Sequence, residues 1–247
     1  MIGLKDVNKS FTTAAGLLPI LKGINVEIGK GEFVALTGPS GSGKSTLMSI
    51  VGCLEPPTTG KVYVEGVELS SLSDNEQAEL RSRAIGFVFQ AFHLIQSLSL
   101  EENVEVPLFY AGVPRKDRRK RAREALARVG LSGRTTHKPY ELSGGEQQRA
   151  SIARALIREP GVILADEPTG NLDSKTCEQI MAILEGVRKE GKTILIVTHD
   201  QSIAARASRQ IRLNDGVIAS DSQQVLTCAT AGSSGSAESI VPRQAEF

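Results

Sequence analysis

The stretch "GPSGSGKST", from Gly38 to Thr46, decides the fold predicted for this chain. It fits the phosphate-binding pattern G-x-x-x-x-G-K-[ST] in full, and we call it the phosphate loop. The run before it, "EFVALTG", is apolar almost throughout, which is typical of a strand buried on both faces of a parallel sheet. A helix is expected to follow from Lys44 through Val51. Strand, glycine loop and helix together predict an α/β protein whose mostly parallel sheet is flanked by helices.

The phosphate loop is predicted to hold the phosphates of a nucleotide. Its glycines let successive N–H groups turn toward phosphate oxygens, and the helix N-terminus adds positive partial charge. Lys44 is expected to reach the β- and γ-phosphates, and the Ser45 hydroxyl is expected to help bind Mg²⁺. The nucleotide-binding residues predicted in this loop are Gly38, Pro39, Ser40, Gly41, Ser42, Gly43, Lys44, Ser45 and Thr46.

A second apolar run, "VILADE", ends in the acidic pair Asp166 and Glu167. Its end should lie at the carboxyl edge of the sheet, which is where open α/β sheets bind ligands. Because adjacent strand residues point to opposite sides, we expect Asp166 to bind Mg²⁺ and Glu167 to face the water that attacks the γ-phosphate. Glu167 would then be the general base. The alternative, an acidic pair that only ends a strand, is disfavoured because "PTGNLDS" follows directly.

Other segments predict the rest of the architecture. "GINVEI" alternates like a half-buried strand, and "KVYVEGVEL" is typical of a hairpin around Glu65 and Gly66, so an antiparallel β subdomain is expected. "AIGFVFQ" is predicted to be a strand that ends in Gln90, and "TILIVTH" a buried strand that ends in His199. Apolar periodicity favours helical structure from about residue 100 to about residue 142, with Gly130 expected as the C-cap of a helix within it.

Composition limits the function classes. The 29 basic and 28 acidic residues give a net charge of +1, so the overall charge typical of nucleic-acid binding is missing. Eight basic side chains between Arg115 and Arg128 predict a solvated helix face, with a contact to anionic headgroups or an acidic partner loop as the alternative. The three cysteines are expected to be reduced thiols. No apolar run approaches the roughly 18 residues of a membrane span, so we expect a soluble chain that reaches a membrane through a partner.

Several motifs follow one another in a fixed order: the phosphate loop, Gln90, "LSGGE" from Leu142 to Glu146, "VILADE", Asp173 and His199. In this combination the chain resembles the ATP-binding subunit of an ABC transporter over roughly residues 1 to 225. The resemblance implies a P-loop NTPase fold with an ATPase domain over residues 1–226 and an inserted α-helical subdomain over about 91–158. Residues 227–247, rich in Ser, Gly and Ala, are expected to form a flexible tail.

The resemblance also implies roles for single residues. Phe11 stands where the family usually has a tyrosine whose ring stacks on adenine. Gln90 corresponds to the glutamine that contacts Mg²⁺ and the attacking water, and His199 to the histidine that contacts the γ-phosphate. Asp173 corresponds to the residue that links two active sites across a dimer. The catalytic residues expected on this basis are Lys44, Gln90, Glu167 and His199, and the metal ligands are Ser45, Gln90 and Asp166.

The LSGGE segment, Leu142 to Glu146, is a second glycine-rich helix start, and the resemblance explains it. It assigns Ser143, Gly144, Gly145 and Glu146 to the γ-phosphate of an ATP molecule held by a second chain. A Ser-Gly-Gly helix N-terminus is a good anion receptor. Two chains would therefore form a head-to-tail homodimer around two ATP molecules. Glu146 stands where the family more often has glutamine.

The partner implied by the resemblance is an integral-membrane permease, which would place the chain on the cytoplasmic face of the cell membrane. The sequence looks most like the branch with ATPases for lipoprotein release, macrolide efflux, antimicrobial-peptide resistance and cell division. Its members move an extracytoplasmic domain of the permease, so export or mechanical transmission is expected. The alternative is a soluble ABC ATPase that acts on ribosomes or nucleic acid. The near-neutral charge disfavours it, and no nucleic-acid partner is expected.

Overall fold

The computed structural model describes residues 1–14 and 16–223. In this part of the chain the strands are β1 (Ile2–Thr13), β2 (Gly16–Ile28), β3 (Phe33–Thr37), β4 (Thr59–Val64), β5 (Val67–Glu68), β6 (Ile85–Phe89), β7 (Val162–Asp166), β8 (Thr193–Val197), β9 (Arg209–Asn214) and β10 (Val217–Gln223). The α-helices are α1 (Lys44–Val51), α2 (Asp74–Ala84), α3 (Leu100–Tyr110), α4 (Arg115–Arg128), α5 (Gly144–Leu156), α6 (Ser174–Lys189) and α7 (Gln201–Ala204). The tail predicted for residues 227–247 lies outside the described residues.

The central sheet has six strands in the order β10-β9-β3-β8-β7-β6. Five of them are parallel, and β10 pairs antiparallel with β9 at one edge. This confirms the predicted α/β fold with a mostly parallel sheet. Because parallel strands end at the same edge, β3, β8, β7 and β6 bring the phosphate loop, His199, Asp166 and Gln90 to one side of the molecule.

Side chains of the parallel strands alternate between two cores on opposite faces of the sheet. Val34 and Leu36 of β3 pack in the first core, with α1 and the antiparallel strands. Phe33 and Ala35 of the same strand pack in the second core, against α6. All five residues of β3 are buried, which explains why the strand is apolar from Phe33 to Leu36 before it ends at Thr37.

A second sheet, in the order β2-β1-β4-β5, covers the first core. Its neighbouring strands all pair antiparallel, which confirms the predicted antiparallel β subdomain. The β4–β5 hairpin turns at Glu65 and Gly66, and both residues have positive φ angles, of 53° and 82°. Such angles are typical of the two-residue turns that match the twist of paired strands.

A third core lies between α3, α4 and α5, and includes Leu100, Leu126 and Ala150. The helical structure predicted up to about residue 142 is interrupted after α4, and that part of the prediction is wrong. Two 3₁₀ turns, Ser132–Arg134 and Pro139–Glu141, lead from α4 to α5 instead. Gly130 has a φ angle of +75°, the left-handed conformation that commonly ends a helix.

The basic helix α4 is held against α3 by ion pairs. Arg119 and Arg123 lie 3.3 and 2.6 Å from the carboxylate of Glu101, and Arg118 lies 3.6 Å from that of Glu105. Part of the charge in this run therefore joins two helices of the third core. In the part of the chain that the structure describes, no helix is both long and apolar enough to cross a bilayer.

Candidate nucleotide-binding and catalytic site

The phosphate loop joins β3 to α1 through a tight backbone path. Gly38 has a φ angle of +143°, and a Cβ atom there would run into the carbonyl oxygen of Leu213. Gly43, with φ at +100°, is the N-cap of α1, and no side chain caps this helix end. The first N–H groups of α1 can therefore bind an anion, because an uncapped helix N-terminus carries free donors and positive partial charge.

Lys44 folds over the phosphate loop. Its Nζ donates to the carbonyl oxygens of Gly38 at 2.9 Å and Pro39 at 2.7 Å. The hydroxyl of Ser42 is buried and has no hydrogen-bond partner among the described residues, and Ser45 is exposed. An ammonium group and two hydroxyls on one loop are suitable donors for phosphate oxygens.

The acidic pair stands at the end of β7. The strand ends at Asp166, and Glu167 leaves it with a φ angle of +44°. Strand alternation therefore does not set the direction of the Glu167 side chain, because Glu167 is not a strand residue. Its backbone N–H donates to the carbonyl oxygen of Val197 at 3.0 Å, which places Glu167 beside the end of β8.

Glu167 and His199 form a hydrogen-bonded pair at this edge. Oε1 of Glu167 accepts from the backbone N–H of His199 at 3.1 Å and lies 2.8 Å from ring atom Nδ1. The Glu167 side chain is 17% exposed and that of His199 is 75% exposed. The hydrogen bond to Glu167 raises the pKa of His199, because it favours the protonated ring. His199 thus holds the carboxylate in one orientation.

Asp166 is electrostatically coupled to the same group of residues. Burial raises the pKa of Asp166, and the charge of Glu167 acts in the same direction. The charge of Lys44 opposes both effects. A carboxyl group with a raised pKa is one whose negative charge lacks full compensation, so this position favours a bound cation.

The oxygen donors at this edge fit Mg²⁺. The Ser45 hydroxyl, the Asp166 carboxylate and the Gln90 amide oxygen are hard ligands of the kind that Mg²⁺ prefers. Within residues 1–14 and 16–223 there is no cluster of three or more His, Cys, Asp or Glu side chains placed to hold a metal. Mg²⁺ in nucleotide-binding proteins is usually bound by one or two carboxylates together with substrate phosphates and water.

Gln90 and Asp173 lie on the loops that follow β6 and β7. Nε2 of Gln90 donates to Oδ1 of Asn171 at 3.3 Å. Asp173 caps α6, where its two carboxylate oxygens accept from the Thr176 N–H at 3.0 Å and the Thr176 hydroxyl at 2.6 Å. Hydrogen bonds from the hydroxyl and the N–H of Thr176 lower the pKa of Asp173. Asn171, which lies inside "GNLDS", has no predicted role in the sequence.

The LSGGE segment begins α5, on the third core. Ser143 is the N-cap, and its hydroxyl accepts from the Glu146 N–H at 3.3 Å. Oε2 of Glu146 accepts from both the N–H and the hydroxyl of Ser143 at 2.9 Å. A Cβ atom on Gly145 would run into the side chain of Thr176, so only glycine permits this close contact between α5 and α6. The molecule therefore has two separate glycine-rich helix starts.

Phe11 lies on β1, in the antiparallel sheet. Its ring is 37% exposed, and Nζ of Lys9 lies 5.0 Å from the ring centroid. Lys9 is itself paired with Glu55 at 3.0 Å. The exposed part of the ring can stack on a flat apolar group such as a nucleobase.

The predicted residues therefore fall into three groups. Those brought together at the carboxyl edge of the central sheet are Lys44, Ser45, Gln90, Asp166, Glu167 and His199. The LSGGE segment and Asp173 lie at the starts of α5 and α6, and Phe11 lies on the antiparallel sheet. Sequence reasoning missed Arg134, whose Nε lies 3.3 Å from Oε1 of Glu146, because the 3₁₀ turn Pro139–Glu141 and its flanking residues separate the two along the chain.

Comparison with known proteins identifies the family. The family model described as ABC transporter matches residues 21–170. Over 221 residues the chain is 48% identical to the ABC transporter ATP-binding protein YvrO of Bacillus subtilis (strain 168), covering 90% of this chain and 96% of YvrO. Over 218 residues it is 51% identical to the macrolide export ATP-binding/permease protein MacB of Escherichia coli O157:H7. That match covers 88% of this chain but only 34% of MacB, so the chain spans about a third of that relative.

The fold matches solved structures of the same kind. A dimeric post-hydrolysis state of the ATP-binding cassette MJ0796, bound to ADP and Pi, superposes with a TM-score of 0.84 at 45% identity, covering 90% of this chain and 98% of MJ0796. These similarities confirm the predicted P-loop NTPase fold and favour a transporter ATPase over a soluble ABC ATPase that acts on ribosomes or nucleic acid. The chain belongs to the ABC transporter family and is an ATP-binding, ATP-hydrolysing cassette of that family.

Proposed function

We propose that two copies of this chain pair head to tail, and that each ATP is held by the phosphate loop of one copy and the LSGGE segment of the other. The two segments support this arrangement because each is a glycine-rich helix start, yet they lie on different cores of one chain. One ATP molecule has one γ-phosphate, so a second anion receptor on another core suits the ATP of a partner. Phe11 would stack on the adenine, and Asp173 would lie between the two sites.

The observation that carries the catalytic proposal is the pairing of Glu167 with His199 beside the phosphate loop. Glu167 would accept a proton from water as the water oxygen forms a bond to the γ-phosphorus. The bond from that phosphorus to the β–γ bridging oxygen would break, leaving ADP and inorganic phosphate. Lys44 would neutralise charge on the β- and γ-phosphates, and His199 would orient Glu167 and contact the γ-phosphate.

Mg²⁺ would be held by Ser45, Asp166 and Gln90 together with phosphate oxygens. When bound, it would neutralise negative charge on the phosphates. Gln90 would also connect the metal site to the loop that leads to Asp173, since its amide donates a hydrogen bond to Asn171 in that loop. Residues of the chain would do the rest: Glu167 would accept the proton from water, and His199 would orient Glu167.

The proposed membrane partner is a permease that docks on the side of α2, β6 and α3. A groove there is lined by Leu54, Phe87, Phe89, Pro107 and Ala155, with arginines around it. Leu54, which lines the groove, is exposed, and Phe109 and Tyr110 are exposed at the end of α3. A groove with apolar side chains in its lining favours an interaction site. Loss of the γ-phosphate would reopen the dimer, and Gln90 at the end of β6 would pass that motion to the partner.

We further propose that the chain works at the cytoplasmic face of the membrane, in export or mechanical transmission rather than uptake. The names of its relatives support export, since MacB is a macrolide export protein and PvdT of Pseudomonas aeruginosa is a pyoverdine export protein. The ATPase domain over residues 1–226 and the helical subdomain over about 91–158 remain predictions that this proposal uses. No nucleic acid is needed for it.

The test of the catalytic proposal is Glu167→Gln. The amide can still accept a hydrogen bond from the His199 N–H but cannot accept a proton, so ATP binding should persist while turnover falls at least about 100-fold. Steady-state phosphate release and binding of fluorescent ATP measure the two effects. Glu124→Gln, on the exposed face of α4, is the matched control. Turnover at the parental rate in Glu167→Gln would rule out the base assignment.

The test of the partner proposal is purification of the chain from detergent-solubilised membranes. A permease that copurifies in stoichiometric amount supports transport. Copurification of ribosomes or nucleic acid without a permease contradicts it.

A further inference from the structure

Glu146 places a negative charge inside the proposed anion receptor. Its Oε2 accepts from the N–H and the hydroxyl of Ser143, both at 2.9 Å. The hydrogen bond from the Ser143 N–H is the main reason why the pKa of Glu146 is lowered, so the carboxylate is ionised at neutral pH. The hydroxyl that should meet the partner's γ-phosphate is thus already bound to an anion of its own chain.

This charge works against the proposed use of the LSGGE segment. A carboxylate in the first turn of α5 already takes up part of the positive partial charge of that helix end. A second anion that approaches the same N–H groups is repelled by the first, because like charges at short range disfavour each other. A receptor with Glu146 therefore needs a compensating cation, which a receptor with glutamine at this position does not.

Arg134 supplies a cation at the required place. Its Nε lies 3.3 Å from Oε1 of Glu146, the oxygen that Ser143 does not use. Its Nη1 lies 3.1 Å from Nε2 of His137, and because a guanidinium only donates, the imidazole is the acceptor. The Glu146 side chain is only 21% exposed, so this ion pair is less screened than one in open solvent.

The turn that carries Arg134 is itself fixed to the third core. The carbonyl oxygen of His137 accepts from the Leu100 N–H at 2.9 Å, and that of Thr135 accepts from the Glu101 N–H at 2.9 Å. Both donors belong to the first turn of α3. Arg134 is therefore held beside Glu146 by backbone hydrogen bonds, which lowers the entropy cost of the ion pair.

We infer that Arg134 is a positioning residue, which neutralises Glu146 so that Ser143 and the first N–H groups of α5 can receive the γ-phosphate of the partner's ATP. The inference rests on the proposed head-to-tail dimer. It assigns no contact between Arg134 and ATP, since the arginine acts through Glu146. Removal of Arg134 should therefore be harmless when Glu146 carries no charge.

The experiment is a double-mutant cycle on ATP-dependent dimerisation, measured by sedimentation with Mg²⁺ and ATP in the Glu167→Gln background. Arg134→Ala should weaken dimerisation about threefold for each LSGGE segment, or about tenfold for a dimer that contains two. Binding of fluorescent ATP to the phosphate loop should not change. The double variant Arg134→Ala with Glu146→Gln should dimerise as well as Glu146→Gln alone, and Arg134→Lys should stay within about twofold of the parent. Arg128→Ala, which breaks an exposed pair with Glu190, is the matched control.

Each of two outcomes overturns the inference. If the Arg134→Ala variant dimerises as tightly as the parent, the charge of Glu146 needs no compensating cation. If the double variant dimerises as weakly as Arg134→Ala, Arg134 does not act through Glu146. If Arg134→Ala fails to fold, Glu146→Gln alone decides the question, because it must dimerise at least as tightly as the parent. Gly144→Asp separates the two proposals: it must abolish dimerisation if the LSGGE segment binds the partner's ATP. Normal dimerisation of Gly144→Asp would contradict the proposed dimer itself.

Discussion

At the scale of single residues, the pairing of Glu167 with His199 fixes the orientation of the proposed general base. Among the described residues, both hydrogen bonds from His199 go to Oε1 of Glu167. Oε2 is therefore the oxygen left to face a water molecule. The φ angle of +44° at Glu167 is a strained conformation for a residue with a side chain, and it directs the carboxylate away from the strand that precedes it.

The raised pKa of His199 predicts a pH-dependent contribution to stability. A group whose pKa is higher in the folded state stabilises that state fully below its unfolded pKa, and the contribution is lost as pH rises through the folded pKa. Wild type should therefore be more stable than His199→Gln at about pH 6, and this difference should shrink by about pH 9, since free histidine titrates near 6.5. Urea unfolding of both proteins at several pH values measures the difference.

His93→Gln is the control for this series, because the His93 ring packs on Phe89 with 4.7 Å between ring centroids and pairs with no carboxylate among residues 1–14 and 16–223. A stability difference between wild type and His199→Gln that stays constant, or grows toward high pH, would contradict the pairing.

At the scale of elements, one buried amide fixes the segment between β6 and α3. Asn103 is fully buried, and its Oδ1 accepts from the Ile95 N–H at 2.7 Å. Its Nδ2 lies 3.0 to 3.2 Å from the carbonyl oxygens of Ile95, Leu98 and Ser99. Asn103 therefore ties the segment that follows Gln90 to α3, and Arg154 of α5 also donates to the carbonyl oxygens of Phe92 and His93 in that segment.

Asn103→Ala should destabilise the protein by about 2 kcal/mol, because the Ile95 N–H and the Leu98 carbonyl oxygen lose their hydrogen bonds, while the Ile95 and Ser99 carbonyl oxygens keep only backbone donors. The free energy of unfolding in urea measures this cost. Gln96→Ala removes an exposed side chain from the same segment and should change stability by less than about 0.5 kcal/mol. A cost for Asn103→Ala as small as that of the control would show that water replaces the lost hydrogen bonds.

Sequence reasoning succeeded where local pattern and structure coincide. The bounds Lys44–Val51 for α1 and the hairpin at Glu65 and Gly66 follow from a motif and a turn signal, and both are confirmed. It failed where distant residues meet. The contact of Arg134 with Glu146 depends on tertiary packing, which sequence periodicity does not reveal. The end of α4 next to Gly130, by contrast, follows from a local glycine signal and is confirmed. Asn103 could have been suspected only as an amide inside an apolar helix.

At the scale of the whole molecule, the cores support different functional segments. The first two cores hold the central sheet, whose edge carries the phosphate loop, Glu167 and His199. The third core carries the LSGGE segment and the exposed end of α3. A change at the nucleotide can therefore alter both the contact between two chains and the surface offered to a permease, since these two features share one group of helices.

The most direct test of this account is complementation between two inactive variants. Lys44→Ala destroys the phosphate loop but keeps the LSGGE segment, and Gly144→Asp does the reverse. Each protein alone should hydrolyse almost no ATP. In an equimolar mixture only the mixed dimer has an intact site, one of its two, so activity should rise well above that of either protein alone, toward about half of wild type when all dimers are mixed. A mixture as inactive as its components, or full activity of Gly144→Asp alone, would contradict the shared site.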